Sequence, residues 1–248
     1  MKKIERNQAT EQLHFDKLAR ETGHIWWGSV TPAGVQRLRR RACLIREVLA
    51  AYSRPAVLEI GCGTGALTRY ILELIPGLDL QCADISPISV QTACRRYSSY
   101  GNVDFLVADA ANMPYADTRF DAIIGNSILH HIPVVEALCE CKRVLRPGGR
   151  IVFFEPNMCN PQIAVEKNIH FIGRKLQNTE TETAFFRWKI FRLLREAGFT
   201  GVFVTPFDFL HPATPPHFIT AVASIGAMFE RVPILKEVAG SLIITGVK

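Results

Sequence analysis

The sequence predicts an α/β fold in which a largely parallel sheet is covered by helices on both faces. Three observations carry this. Short β-branched runs alternate with helical stretches between residues 56 and 154, a rhythm that βαβ units produce. A glycine-rich turn joins the first of these runs to a helix. The chain is 248 residues long, 48% hydrophobic and 21% charged, so it can bury one sizeable core.

A helix is expected from Ala33 to Ala51, after a lead-in that ends in Trp26-Trp27-Gly28 and Thr31-Pro32. Strands are then expected at Ala56–Ile60, Leu78–Ala83, Val103–Val107, Phe120–Gly125 and Arg150–Phe154. Helices are expected between them at Leu67–Ile75, Ile88–Tyr100 and Val134–Leu145. Beyond Glu155 the rhythm breaks, and a segment rich in asparagine, proline and basic residues reads as an insertion. A helix from Ala184 to Ala197 stops at Gly198, and strands follow at Gly201–Thr205 and Ser241–Val247. Between those strands lie a Pro-rich stretch, Pro206 to Pro216, and an apolar helix, Phe218 to Phe229, whose default place is the core. Residues 1–33 thus form a lead-in, and 34–248 a single domain with insertions at about 156–183 and 206–240. The lead-in and both insertions are candidate substrate lids, because binding specificity usually resides in long loops at the carboxyl edge of such a sheet.

Several function classes recede on composition. No run approaches the roughly 18 apolar residues of a membrane span, although peripheral lipid contact stays open. The N-terminus is polar with no apolar segment following, unlike a signal peptide. Seven cysteines with no secretion signal are expected as reduced thiols in a cytoplasmic protein. The Cys139-x-Cys141 pair lacks a second cluster, so no metal is expected. The net charge of +6 is densest at Arg37, Arg39, Arg40, Arg41 and Arg46. With Leu38, Cys43, Leu44, Val48 and Leu49 as the apolar stripe, these arginines read as a solvated face. Nucleic acid is not the expected partner, because no aromatics accompany them to stack bases.

The strongest motif is Val57-Leu58-Glu59-Ile60-Gly61-Cys62-Gly63-Thr64-Gly65-Ala66: an apolar strand, a glycine turn and a helix start. Glycine permits positive φ and close ligand approach, and the helix presents its positive end. Gly61, Gly63 and Ala66 also satisfy the dinucleotide spacing, so an NAD-dependent oxidoreductase competes at this point. Asp84 follows the second strand, where a carboxylate can accept both hydroxyls of a ribose. Asp109 ends the third strand, where it can face an adenine amino group. Pro147-Gly148-Gly149 makes a tight turn before the fifth strand.

In this order, the segment from Val57 to Glu155 resembles the class I S-adenosylmethionine-dependent methyltransferases of the type 11 group. Glu59-x-Gly61-x-Gly63-x-Gly65 matches the group's first motif, Asp84 its acidic second-strand position and Asp109-Ala110 its adenine-side motif. Asn126-Ser127-Ile128-Leu129-His130-His131-Ile132 resembles the segment after the fourth strand. The resemblance implies a Rossmann-like seven-stranded sheet with an antiparallel last strand, and S-adenosylmethionine as cofactor. Its contacts are expected from Glu59, Gly61, Cys62, Gly63, Gly65, Asp84, Ile85, Asp109, Ala110 and Asn126. His130 and His131 are candidate catalytic bases, with helix capping and internal packing as their structural alternatives. Trp26, Trp27, Glu155 and Asn157 are candidate acceptor contacts, although Glu155 could instead pair with an arginine of the insertion.

The implied reaction is methyl transfer to a small molecule, with oxygen ahead of carbon or nitrogen as the atom methylated. RNA or protein methylation is the alternative, weakened by the lack of an Asn-Pro-Pro-Tyr-type motif; a non-catalytic cofactor-binding protein is a further one. The expected oligomeric state is a monomer or homodimer.

Overall fold

The structure, a computed structural model, describes residues 8–22, 28–168 and 184–248. Its centre is one sheet of seven strands in the order β3-β2-β1-β4-β5-β7-β6. These are β1 (Ala56–Ile60), β2 (Asp79–Asp84), β3 (Val103–Val107), β4 (Phe120–Asn126), β5 (Leu145–Pro156), β6 (Thr200–Phe207) and β7 (Ser241–Val247). The first five pair in parallel, while β7 runs antiparallel to both β5 and β6.

Strand side chains alternate between two cores, one on each face. Leu58, Ile123, Ile151 and Phe153 join one; Val57, Ile124, Val152 and Phe154 join the other. Helices α2 (Pro32–Leu49), α3 (Ala66–Leu74) and α4 (Pro87–Arg96) cover the second face. Helices α5 (Val134–Val144) and α7 (Arg187–Glu196) cover the first. Three more elements lie around the carboxyl rim: α1 (Gln8–Thr22), α6 (Pro161–Asn168) and α8 (Ile219–Phe229). A single turn, α9 (Pro233–Lys236), precedes β7.

The strand order places the site. From β1 the chain steps outward through β2 to β3, then returns across β1 to β4 and proceeds the other way. Connections therefore diverge between β1 and β4, and the carboxyl ends of these two strands frame a crevice.

Four expectations change in detail. Pro147-Gly148-Gly149 lies inside β5 rather than before it: Phe120 pairs with Leu145, and regular pairing resumes at Ala122 and Arg150. Gly148 (φ 78) and Gly149 are held there by hydrogen bonds to the Lys248 backbone. The helix expected from Ala184 begins only at Arg187, because the Phe185 N–H donates to the Pro156 carbonyl in a bridge beside β5. Pro206 and Phe207 belong to β6, paired with Leu242 and Ser241, so that loop starts two residues later. The apolar α8 is not core: only Ile219 and Gly226 are buried, and Ile225 and Met228 are exposed.

The largest correction concerns α2. Its buried stripe is Leu38, Arg41, Ala42, Ile45 and Leu49, a phase that carries arginines inward. Arg37 and Arg41 reach Asp208, and Arg40 pairs with Glu230. Of the patch, Arg39 and Arg46 are exposed.

Candidate active site

Two chambers meet at the crevice. The first is lined by seven of the ten residues expected to hold the cofactor: Gly61, Gly63, Asp84, Ile85, Asp109, Ala110 and Asn126. Glu59 and Cys62 line the second chamber, while Gly65 lines neither.

The three glycines of the turn differ in purpose. A Cβ on Gly61 would stand 2.6 Å from Ile128, and one on Gly65 would stand 2.3 Å from the Tyr97 ring. Both are bare so that another side chain of the protein can cross the loop; the Tyr97 hydroxyl then donates to the Gly65 carbonyl at 2.5 Å. Gly63, at φ 54, has nothing within 4 Å of its missing Cβ and borders both chambers. It is the open cradle.

Asp84 stabilises that cradle from the end of β2. Its Oδ2 accepts the Gly63 N–H at 2.8 Å and its Oδ1 accepts the Ser86 N–H at 2.9 Å. Burial pushes the Asp84 carboxyl up from its ordinary range, and the two N–H groups oppose that. Each carboxylate oxygen keeps lone-pair capacity for a further donor, so ribose hydroxyls suit the position. Asp109 sits at a bend, its Oδ1 accepting the Ala111 N–H at 2.9 Å. Glu59 lies beneath the loop, 1% exposed, accepting from Thr68 Oγ1 at 2.6 Å. Burial raises its pKa to about 7.

Helix α1 covers the first chamber. Phe15 and Leu18 line it, the Ser86 hydroxyl donates to Asp16 at 2.5 Å, and the Phe15 ring meets His131 edge-on at 5.1 Å. This part of the lead-in therefore closes over the residues expected to hold the cofactor. Trp26 and Trp27 lie outside the described residues.

After β4 the backbone turns sharply at Ser127, whose φ of 57 is strained for a residue with a side chain. The turn delivers His130 and His131, both buried, to the second chamber, and His131 lines the first as well. Neither caps α5, whose N-cap Pro133 has no side-chain hydrogen bond. His130 Nδ1 lies 2.6 Å from Glu155 Oε2. The other oxygen, Oε1, accepts the N–H groups of Ile128 and Leu129 at 3.0 and 2.8 Å. Glu155 is thus the brace of this segment, with His130 as its side-chain partner among the described residues; Arg174, the arginine of the insertion, lies outside them. With Glu155 ionised, Nδ1 is the donor and the ring's lone pair resides on Nε2.

Neither Glu155 nor Asn157 lines a chamber. Asn157 Nδ2 donates to the carbonyls of Glu237 and Ala239 at 2.9 and 2.8 Å, tying the exit of β5 to the entry of β7.

Sequence reasoning missed Arg37, Arg41, Asp208 and Ser241, which line the second chamber. Arg41 donates to Asn126 Oδ1 and, at 2.9 Å, to Ser241 Oγ. A signal existed. Arg41 stands three residues after Leu38 and four before Ile45, inside the helical stripe once its phase is correct. Tyr97 and Ile128 gave no such signal, because only tertiary packing brings them over the glycines.

Comparison with known proteins bears on this geometry. Residues 58–153 match the model of a methyltransferase domain. The chain is 30% identical over 220 residues to the malonyl-[acyl-carrier protein] O-methyltransferase of a Paenibacillus species, covering 82% of this chain and 78% of that one. It is 35% identical to the demethylmenaquinone methyltransferase of Tropheryma whipplei over 47% of each chain, so the match spans about half of that relative. Among solved structures, a SAM-dependent methyltransferase of Thermotoga maritima, described as a possible histamine N-methyltransferase, superimposes with a TM-score of 0.68 at 19% identity. That superposition covers 96% of this chain and 99% of the other. A phosphoethanolamine N-methyltransferase of Haemonchus contortus bound to S-adenosylhomocysteine gives a TM-score of 0.68 at 16% identity, over 96% and 60%. At these identities the structural likeness speaks for the fold. This chain belongs to the class I S-adenosylmethionine-dependent methyltransferases, with S-adenosylmethionine as its cofactor.

Proposed function

We propose that the enzyme methylates a small molecule, on oxygen, with the cofactor in the first chamber and the acceptor in the second. The observation that carries this reading is the shared wall. Gly61, Gly63, Thr64, Asn126, Ser127 and His131 border both chambers, so a group in one can meet a group in the other. The cofactor supplies a sulfonium-bound methyl group that is already electrophilic. The protein's part is placement and proton removal, and orientation alone can contribute on the order of 7–11 kcal/mol.

In this reading Asp84 holds the ribose, Asp109 and Ala110 the adenine, and Gly63 the methionine end, with Asn126 at the junction. Glu59 supports the loop from below through Thr68. Residues 8–22 act as the lid of the cofactor chamber within the 1–33 lead-in, and α6 with the loop after β6 walls the acceptor. His130 accepts the proton of a hydroxyl acceptor, and Glu155 holds its ring and stabilises the charge it acquires. The names of the relatives support a small acceptor group: one is a malonyl-[acyl-carrier protein] O-methyltransferase, another a demethylmenaquinone methyltransferase.

Incubating the protein with methyl-labelled cofactor and a metabolite extract tests the reading. Label should enter small, extractable products, and it should not do so with the His130→Ala variant. Label appearing only in RNA or protein would replace the small-molecule acceptor with a macromolecular one.

A further inference from the structure

The second chamber contains a pair of arginines that the methyl-transfer reading leaves unused. Arg37 and Arg41 are one helical turn apart on the inner face of α2, and both line the chamber. Ser241 Oγ accepts from both, at 3.3 and 2.9 Å. Arg37 Nε donates to Asp208 Oδ2 at 2.8 Å, whereas Arg41 stands 3.9 Å from the same oxygen. Asp208 is itself anchored: its N–H donates to Glu230, and its Oδ1 accepts from Leu210. Among the arginines of α2, Arg40 is the one that pairs with Glu230 in the described residues. One carboxylate therefore serves two guanidinium groups.

Arg41 is 6% exposed, and its Nε has no hydrogen-bond acceptor. Burial, reinforced by the neighbouring charge of Arg37, lowers its pKa to about 9. A buried cation with unmatched donors is a poor device for stability, since an apolar residue of similar size would pack more favourably. An arginine kept there in a cavity wall serves a visiting anion better than it serves the fold.

We propose, on the reading of the second chamber as the acceptor site, that Arg37 and Arg41 are the receptor for a carboxylate on the acceptor. The charge count favours a single negative charge. Arg37 and Arg41 share the one carboxylate of Asp208, which leaves one positive charge at that corner of the chamber. Leu38, Ile163, Phe209, Leu210 and Pro212 give the chamber an apolar wall, so the acceptor is an acid with an apolar body.

Octanoate and octanamide, equal in length and differing in charge, test this by calorimetry on protein saturated with S-adenosylhomocysteine. Octanoate should bind about tenfold or more tightly than octanamide, the scale of a charge-assisted pair. Arg37→Gln and Arg41→Gln should each bring the two probes to within about threefold, while Arg46→Gln, on the exposed face of the same helix, should preserve the preference. If Arg41→Gln does not fold, Arg37→Gln decides alone, since Arg37 is less deeply buried. Equal binding of the probes, no binding of octanoate, or a preference that survives Arg37→Gln would overturn the receptor. Failure to bind S-adenosylhomocysteine would instead strike at the cofactor chamber, so the two failures are distinguishable.

Discussion

The first chamber is made from strand ends and backbone, whereas the second depends on long side chains that cross the molecule. In the first, the ligand-facing groups lie at successive strand exits, and the supporting bonds are short-range. Gly63 is tied to Asp84, 21 residues on, and Ser86 to the same carboxylate, two residues away. In the second, Arg37 meets Asp208 across 171 positions, and Arg41 meets Ser241 across 200. A site of the first kind is preorganised by the sheet itself, and a strand and its turn can be inherited as a unit. A site of the second kind exists only after β6 and β7 have docked against α2. The lesson is that a common cofactor site can stay fixed while the acceptor site is reshaped by changes in distant loops.

This contrast can be broken most sharply at Asp84. Asp84→Ala removes the acceptor of two backbone N–H bonds along with the expected ribose contact. At roughly 1.5–3 kcal/mol for each charged hydrogen bond to a ribose hydroxyl, S-adenosylmethionine affinity should fall about 10²–10⁴-fold. Calorimetry showing near-normal affinity would remove the ribose assignment and the claim that the cradle depends on this carboxylate.

His130→Ala should do the reverse, lowering kcat by about 10²-fold or more while cofactor affinity stays within about threefold. Glu155→Gln should lower turnover less, because the ring can still be held by a hydrogen bond. Full turnover by both variants, measured with labelled cofactor and an acceptor found by screening, would leave catalysis to placement alone.

The glycines sharpen the contrast further. Gly65→Ala puts a Cβ 2.3 Å from the Tyr97 ring at φ 81, so it should destabilise the fold by about 2–3 kcal/mol. For a chain of this length that is roughly 4–12 °C in Tm. Gly63→Ala meets open space, so its melting temperature should fall less, with the loss appearing in cofactor affinity. Thermal melts with and without S-adenosylhomocysteine separate the two, and equal shifts would undo the distinction.

The smallest expected effect is a pH slope. Glu59 has a folded-state pKa raised to about 7, above the usual carboxylate value of about 4.3. Between those values the folded protein binds more protons than the unfolded one, so this group's contribution favours folding at low pH. That contribution is lost as pH rises through 7, with a slope of at most about 1.4 kcal/mol per unit. Glu59→Gln should flatten the part of the stability profile between about pH 5 and 7.5. An unchanged slope in urea titrations would assign the titration to another group.

The sequence by itself determined the alternating architecture and much of the lining of the first chamber. β1, β3 and β7 fall on their expected boundaries, and Gly61, Gly63, Asp84, Asp109 and Asn126 line one chamber as their spacing suggests. Period-2 alternation and glycine turns are local, so short windows of sequence carry them. Tertiary structure alone decided that Gly61 and Gly65 make room for Ile128 and Tyr97, that Glu155 braces the His130 segment, and that Asn157 ties β5 to β7. It also turned Arg37 and Arg41 inward while Arg39 and Arg46 stay exposed, because the helix's phase is fixed by α3 and the sheet it packs against. Contacts across 170 to 200 residues leave no periodic trace in the chain. They form only where the packed elements bring complementary charges within reach.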